Sequence, residues 1–221
     1  MAEKSTIDME FEGHTGRELI GARMSGTTFI ANPPVLSKRA EWKKKHMESV
    51  KGEIKLLQSL NLVPEETIFI FSGKKKHPVD SAYTICDSYG GTVFHAVSIA
   101  SFHMDDYIED YGEDLPFLKD SGVADTMKRL FIHHILLHEI GHFVLRKGDR
   151  YDMLSGEDEA ERYAYEKIMK VISTIESDPC RMELLRDRVL AVVFALRMDL
   201  TVEEEEKKVG KCKSSLEKWR G

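Results

Sequence analysis

The sequence predicts an α+β domain in which a small mixed sheet packs on a buried histidine-bearing helix and on an acidic helix that follows it. Three observations predict this. The stretch from Leu130 to Leu145, LFIHHILLHEIGHFVL, is apolar on every side, as a buried helix is. The stretch from Ser155 to Met169 has apolar and acidic residues at spacings of three and four, the period of a second helix. Upstream, Thr67 to Phe71 (TIFIF) reads as a short buried strand. Ala82 to Tyr89 and Thr92 to Ala100, split by Gly90-Gly91, read as a hairpin.

The remaining elements follow in order. Residues 1–36 are rich in glycine, carry Pro33-Pro34 and have few periodic apolar positions, so they read as an N-terminal arm with one short strand around 27–31. Ser37 is placed to cap a helix reaching about Leu60, whose lysines Lys43, Lys44 and Lys45 form a solvated outer face. Residues 37–178 make up the main domain. Its acidic segment 104–121 reads as a loop with a short helix, able to form one wall of a cleft. Ser155 with Asp158 three residues later has the form of a capping box, starting the acidic helix near Gly156. Residues 179–221 form a C-terminal helical extension packed on the same domain. Two helices are expected there, Arg181 to Leu200 and another from Thr201, where acidic residues precede basic ones as the helix dipole favours.

Composition narrows the functional classes. A formal charge of −6 argues against nucleic acid as the main partner. The longest uninterrupted apolar run, Val189 to Leu196, is too short to cross a membrane, and the N-terminus has no apolar core of signal-peptide length. Cys86, Cys180 and Cys212 are odd in number and widely spaced, which fits a reducing interior rather than a disulfide framework. These features together point to the cytoplasm.

The chemistry lies in His138-Glu139-Ile140-Gly141-His142. Histidines four apart stand one turn apart on the same helical face, so His138 and His142 can offer two imidazole nitrogens to one metal ion. Glu139 is the only formally charged group in an otherwise apolar helix, and a buried carboxylate is costly unless something pairs with it. Beside two metal ligands it has a purpose, as a base acting on a water at the metal. A third protein ligand is then expected downstream. The apolar stripe Ala160, Ala164, Ile168, Ile172 extends back through Glu161 and Glu157, whereas Glu159 falls with Arg162, Glu166 and Lys170 on the solvent side. Glu157 is therefore the expected ligand. Glu161, one turn on, is placed to accept the free N–H of a ligating histidine. Gly141 would cost about 1 kcal/mol relative to Ala inside a helix, which a close backbone or substrate contact would explain. His134 is expected to be a buried hydrogen-bonding residue, and His95 and His103 structural or exposed.

H-E-I-G-H followed by E-x-E-A-E-x-Y-A resembles the zincins whose third ligand is a glutamate on the next helix, the gluzincins. Within them it is most similar to the ImmA/IrrE family, with H-E-x-G-H followed by E-x-E-A-N-x-F-A; here Glu161 stands where that pattern has Asn. The membrane-embedded HtpX-like peptidases have a similar E-x-E-A-D, but this chain has no spanning segment. The resemblance covers about Thr126 to Met169. It implies a zincin-like fold, Zn2+ held by His138, His142 and Glu157, and a metallopeptidase in which Glu139 is the catalytic base. It also implies a peptide or protein substrate, a regulator such as a repressor being the kind of target. Tyr151, Tyr163 and Tyr165 are candidate oxyanion donors. Strand 92–100 is expected to receive extended substrate by main-chain pairing. The alternative is a catalytically inactive zinc-binding sensor or interaction module on the same fold.

Overall fold

A computed structural model of the chain describes residues 10–11, 14–25, 28–31, 39–65, 67–76, 78–89, 92–101, 108, 111–145 and 156–218. The fold is α+β, built on a mixed sheet of four strands. These are β3 (Phe29–Ala31), β4 (Thr67–Lys75), β5 (Ala82–Tyr89) and β6 (Thr92–Ser101), in the order β3-β4-β6-β5. β3 and β6 run parallel to β4, and β5 runs antiparallel to β6. A separate two-stranded ladder joins β1 (Glu10–Phe11) to β2 (His14–Thr15).

Alternation along the strands divides the core in two. Phe69, Phe71, Val97 and Ile99 face one way, into the main core shared with the long helices. Ile68, Ile70 and Ala96 face the other way, where Leu19 and Ile20 of α1 (Gly16–Met24) cover them. The N-terminal segment is thus more than an arm with one strand. It supplies β3 and a helix whose two buried apolar side chains close the second face of the sheet. Thr15 caps α1, its hydroxyl accepting from the Glu18 N–H while the Glu18 carboxylate accepts from the Thr15 N–H.

On the main face lie α2 (Arg39–Ser59) and α3 (Ser121–Val144). Asn61, at φ 52°, turns the chain out of α2, a left-handed position that Asn tolerates. Ser37, the expected cap of α2, lies outside the described residues. Asp120 caps α3 by accepting from the N–H groups of Gly122 and Val123. Every residue of α3 from Leu130 to Phe143 is buried, the histidines and Glu139 included. α2 is pinned to α3 by Glu53, whose carboxylate lies 2.9 Å from Arg129 Nε and 3.0 Å from His133 Nε2. Burial raises the Glu53 pKa, but the hydrogen bonds from His133 and Arg129 outweigh it and hold it at about 2.

α4 (Glu157–Ile172) crosses α3 closely. Gly156 precedes its first turn and donates its N–H to the Glu159 carboxylate at 3.3 Å; Ser155, the expected cap, lies outside the described residues. The C-terminal region differs from expectation, because a single helix, α5, spans Pro179–Lys218 in place of two. Residues 180–209 contain neither proline nor glycine, so the charge reversal near Thr201 does not interrupt the hydrogen-bond ladder. Val189, Val192, Val193 and Leu196 anchor α5 in the main core. Among the described residues, no helix is long and apolar enough to cross a membrane.

Gly141 sets the approach of α3 and α4. A Cβ there would lie 3.1 Å from Ala160 Cα, 3.1 Å from Tyr163 Cβ and 3.2 Å from Ala160 O, tighter than ordinary van der Waals contact. Ala160 and Ala164 are fully buried on the facing side. Gly141→Ala should therefore lower stability by about 1–2 kcal/mol, although alanine is the better helix former by about 1 kcal/mol. Thermal or denaturant unfolding checks this. A variant as stable as the parent would mean that the two helices separate without cost.

Candidate metal centre

α3 and α4 bring His138, His142 and Glu157 together. One ligand atom from each lies within 4.8 Å of the others, so this group could hold a metal ion. The Glu157 carboxylate spans the two histidines, with Oε2 3.1 Å from His138 Nε2 and Oε1 3.5 Å from His142 Nε2. Bonds of about 2.0–2.1 Å in tetrahedral geometry hold ligand atoms about 3.3–3.5 Å apart, so atoms up to 4.8 Å apart would draw together around a bound ion. The two imidazole rings stand edge to face, 4.8 Å between centroids at 87°. Both histidines are buried, whereas the Glu157 side chain is 82% exposed, so the group is rigid on one side and open to solvent on the other.

Glu161 occupies the opposite side of His138. Its Oε2 lies 3.1 Å from His138 Nδ1 and 2.6 Å from an Arg197 guanidinium nitrogen, and its Oε1 lies 2.8 Å from His134 Nε2. The two nitrogens of His138 are thereby divided, Nδ1 to Glu161 and Nε2 to the metal side. Burial alone would raise the Glu161 pKa. Hydrogen bonds from His134 and His138, with the charges of His134 and Arg197, outweigh burial and hold it far below the usual carboxylate range. His138 responds in the opposite sense. Burial lowers its pKa, but the Glu161 hydrogen bond and the carboxylates of Glu139, Glu161 and Glu157 raise it. His134 is buried in the hydrogen-bonding position expected for it.

Glu139, next to His138, is only 8% exposed. Burial pushes its pKa up to about 7; the Glu157 charge adds to this, while His138 and the Thr84 backbone N–H oppose it. These groups line a cleft of about 660 Å³. α3 forms its floor, Val79, Ala82, Tyr83 and Thr84 one wall, and Val193 and Arg197 of α5 the other. The C-terminal helix thus contributes directly to the cleft.

Several expectations need correction here. Strand 92–100 lies inside the sheet, paired on both sides by β4 and β5, so its main-chain groups are already used. Among the described strands β3 and β5 are the two edges of the sheet, and Ala82, Tyr83 and Thr84 on β5 line the cleft. Tyr163 and Tyr165 do not line the cleft; Tyr163 packs against Gly141, and the Arg186 guanidinium lies 4.2 Å from the Tyr165 ring centroid. Tyr151 and His103 lie outside the described residues. Thr84 and Arg197 were not anticipated. Arg197 carried a faint signal, a charge ending the apolar run Val189–Leu196; Thr84 carried none.

Comparison of the chain with protein-family models, curated proteins and solved structures gives no significant match.

The position of Glu139 generates a pH prediction for the metal-free protein. A carboxyl with a pKa of about 7 folded and about 4.5 unfolded stabilises the fold below pH 4.5, and loses that contribution as the pH rises through 7. Between pH 4.5 and 7.5 the parent should lose on the order of 2–3 kcal/mol relative to Glu139→Gln, which cannot ionise. Denaturant unfolding in chelator across that range measures it, and parallel stability curves for the two proteins would contradict it.

Proposed function

We propose that the protein is a zinc-dependent metallopeptidase with a zincin-like fold, holding Zn2+ through His138, His142 and Glu157. The observation that carries this reading is the meeting of three groups at one cleft. A His-His-Glu set that could hold one ion lies beside a buried carboxylate, Glu139, and both line a cleft with Ala82, Tyr83 and Thr84 of the edge strand β5. Two neutral imidazoles and a carboxylate with an open side suit zinc in a catalytic rather than a closed structural site.

Bound there, zinc would polarise a scissile carbonyl and lower the pKa of water. The chain's own residues supply the rest. Glu161 accepts the Nδ1–H of His138, which leaves the Nε2 lone pair facing the metal side and fixes the ring. The carboxylate of Glu139 takes the proton of the attacking water onto an oxygen and delivers it to the leaving amine. Outward main-chain groups of β5 other than the Thr84 N–H pair with an extended peptide as an added strand, drawing the scissile bond across the cleft floor. A folded regulatory protein with an exposed, extended segment fits such an edge. A sensor module without hydrolysis would gain nothing from a buried base beside its ligands, which favours the enzyme.

Metal analysis paired with a proteome-wide cleavage screen tests the reading. The parent and Glu139→Gln should each hold one zinc per chain, with cleavage products only from the parent, because the nearly isosteric amide cannot accept the water's proton. Glu157→Ala should lose zinc, and Glu159→Ala should keep it. Hydrolysis by Glu139→Gln at the parent rate would overturn the mechanism, and zinc lost from the Glu159 variant alone would overturn the ligand set.

A further inference from the structure

His95 lies at the centre of the sheet, fully buried, and the proposed reaction does not use it. Its Nδ1 is 3.0 Å from Thr67 Oγ1 on β4, and its Nε2 is 2.6 Å from Thr84 Oγ1 on β5. Its ring stacks on Phe143, the residue after His142, with centroids 4.2 Å apart and planes 9° apart. One imidazole therefore touches both neighbouring strands and the histidine-bearing helix.

Thr84 works in two directions. Its hydroxyl points inward to His95 and lies 3.3 Å from the Ala96 carbonyl. Its pairing opposite Val97, in a ladder where Ala100 N–H donates to Ser81 O, turns its backbone N–H away from β6, on the side of the cleft that Glu139 also lines. One proton arrangement satisfies all the inward contacts. Thr84 O–H donates to Ala96 O, His95 Nε2–H donates to Thr84 Oγ1, and Thr67 O–H donates to His95 Nδ1. The imidazole is then neutral and hydrogen-bonded at both nitrogens.

An edge strand has a ladder partner on one side only, so its outward N–H groups are free to shift. β5 is such an edge, and Thr84 is where it meets the proposed base. We infer that His95 is a positioning residue. Through the Thr84 hydroxyl it fixes the edge strand, so that the Thr84 N–H holds the Glu139 carboxylate in place at the metal site. The inference rests on Glu139 as the proton-transfer group of the proposed peptidase. The contact itself is testable without any activity.

Thr84→Val is the informative variant, because it keeps the branched shape and the backbone N–H while removing the hydroxyl; Thr84→Ser restores the hydroxyl. His95→Phe keeps a ring against Phe143 and removes both nitrogens. In metal-free, 15N-labelled full chain, Glu139→Gln should move the position-84 amide proton upfield in the parent and in Thr84→Ser. It should leave that proton nearly unmoved in Thr84→Val and His95→Phe. Hydrogen exchange at the same amide should be about tenfold faster or more in those two variants, with the β4–β6 amides unchanged. Zinc content should be the same throughout. With denatured casein as substrate, kcat should fall about 10- to 100-fold in Thr84→Val, the scale of a slightly misplaced group. KM should stay within about twofold, and Thr84→Ser should recover the loss. A position-84 amide that responds to Glu139→Gln as strongly in folded Thr84→Val as in the parent would overturn the inference. Thr84→Val decides the matter even where His95→Phe fails to fold. A parent that leaves casein intact would count against the peptidase reading, and the amide response would still decide the role of His95.

Discussion

At Gly141 the α3 backbone lacks a Cβ, and the backbone of Ala160 fills the space that one would occupy. This close crossing governs what α4 can present to α3. Glu157 stands almost one turn before Ala160, and Glu161 one residue after it, so both carboxylates reach the histidine face that α3 offers. Glu157 spans His138 and His142, and Glu161 spans His138 and His134. Separating the helices by the width of a methyl group would lengthen every one of these contacts together. The grouping of His138, His142 and Glu157 that could hold a metal ion is thus a consequence of helix packing, and glycine is the residue that permits it.

Glu139, Glu157 and Glu161 cluster with His134, His138 and His142 where α3 meets α4. The fold separates their roles by environment. Glu161 is held ionised by two histidines and Arg197, which makes it a fixed acceptor for the Nδ1 of His138. Glu139 has burial against it and only a backbone N–H and His138 in its favour, so it stays close to protonation at neutral pH. Glu157, exposed over the two imidazoles, is free to become a ligand. Environments that push neighbouring pKa values apart are how acid, base and ligand roles are divided within one site. Arg197 extends the division to the C-terminal helix, which reaches the site through Glu161.

The histidine-bearing helix and the acidic stripe were legible because both are written in local periodicity. An all-apolar run with two histidines one turn apart, and carboxylates continuing the face of Ala160 and Ala164, need no knowledge of the rest of the chain. The strand segments were legible for the same reason. Their order was not. Nothing in residues 92–100 shows that they pair on both sides, because edge and centre differ in their neighbours rather than in their own pattern. Thr84 illustrates this well, since its importance arises only once β5 is an edge and His95 sits behind it. The N-terminal helix was missed because two buried side chains, Leu19 and Ile20, give too short a stripe to register. The single long α5 was missed because a reversal of charge was read as a boundary, although charge order alone leaves the backbone hydrogen-bond ladder intact.

X-ray absorption at the zinc edge, on the zinc-loaded full chain, tests the central claim most directly. The account predicts only nitrogen and oxygen neighbours at about 2.0–2.1 Å, with the outer-shell pattern of two imidazoles. A sulfur neighbour at about 2.3 Å, as a cysteine thiolate would supply, or a single imidazole, would contradict it.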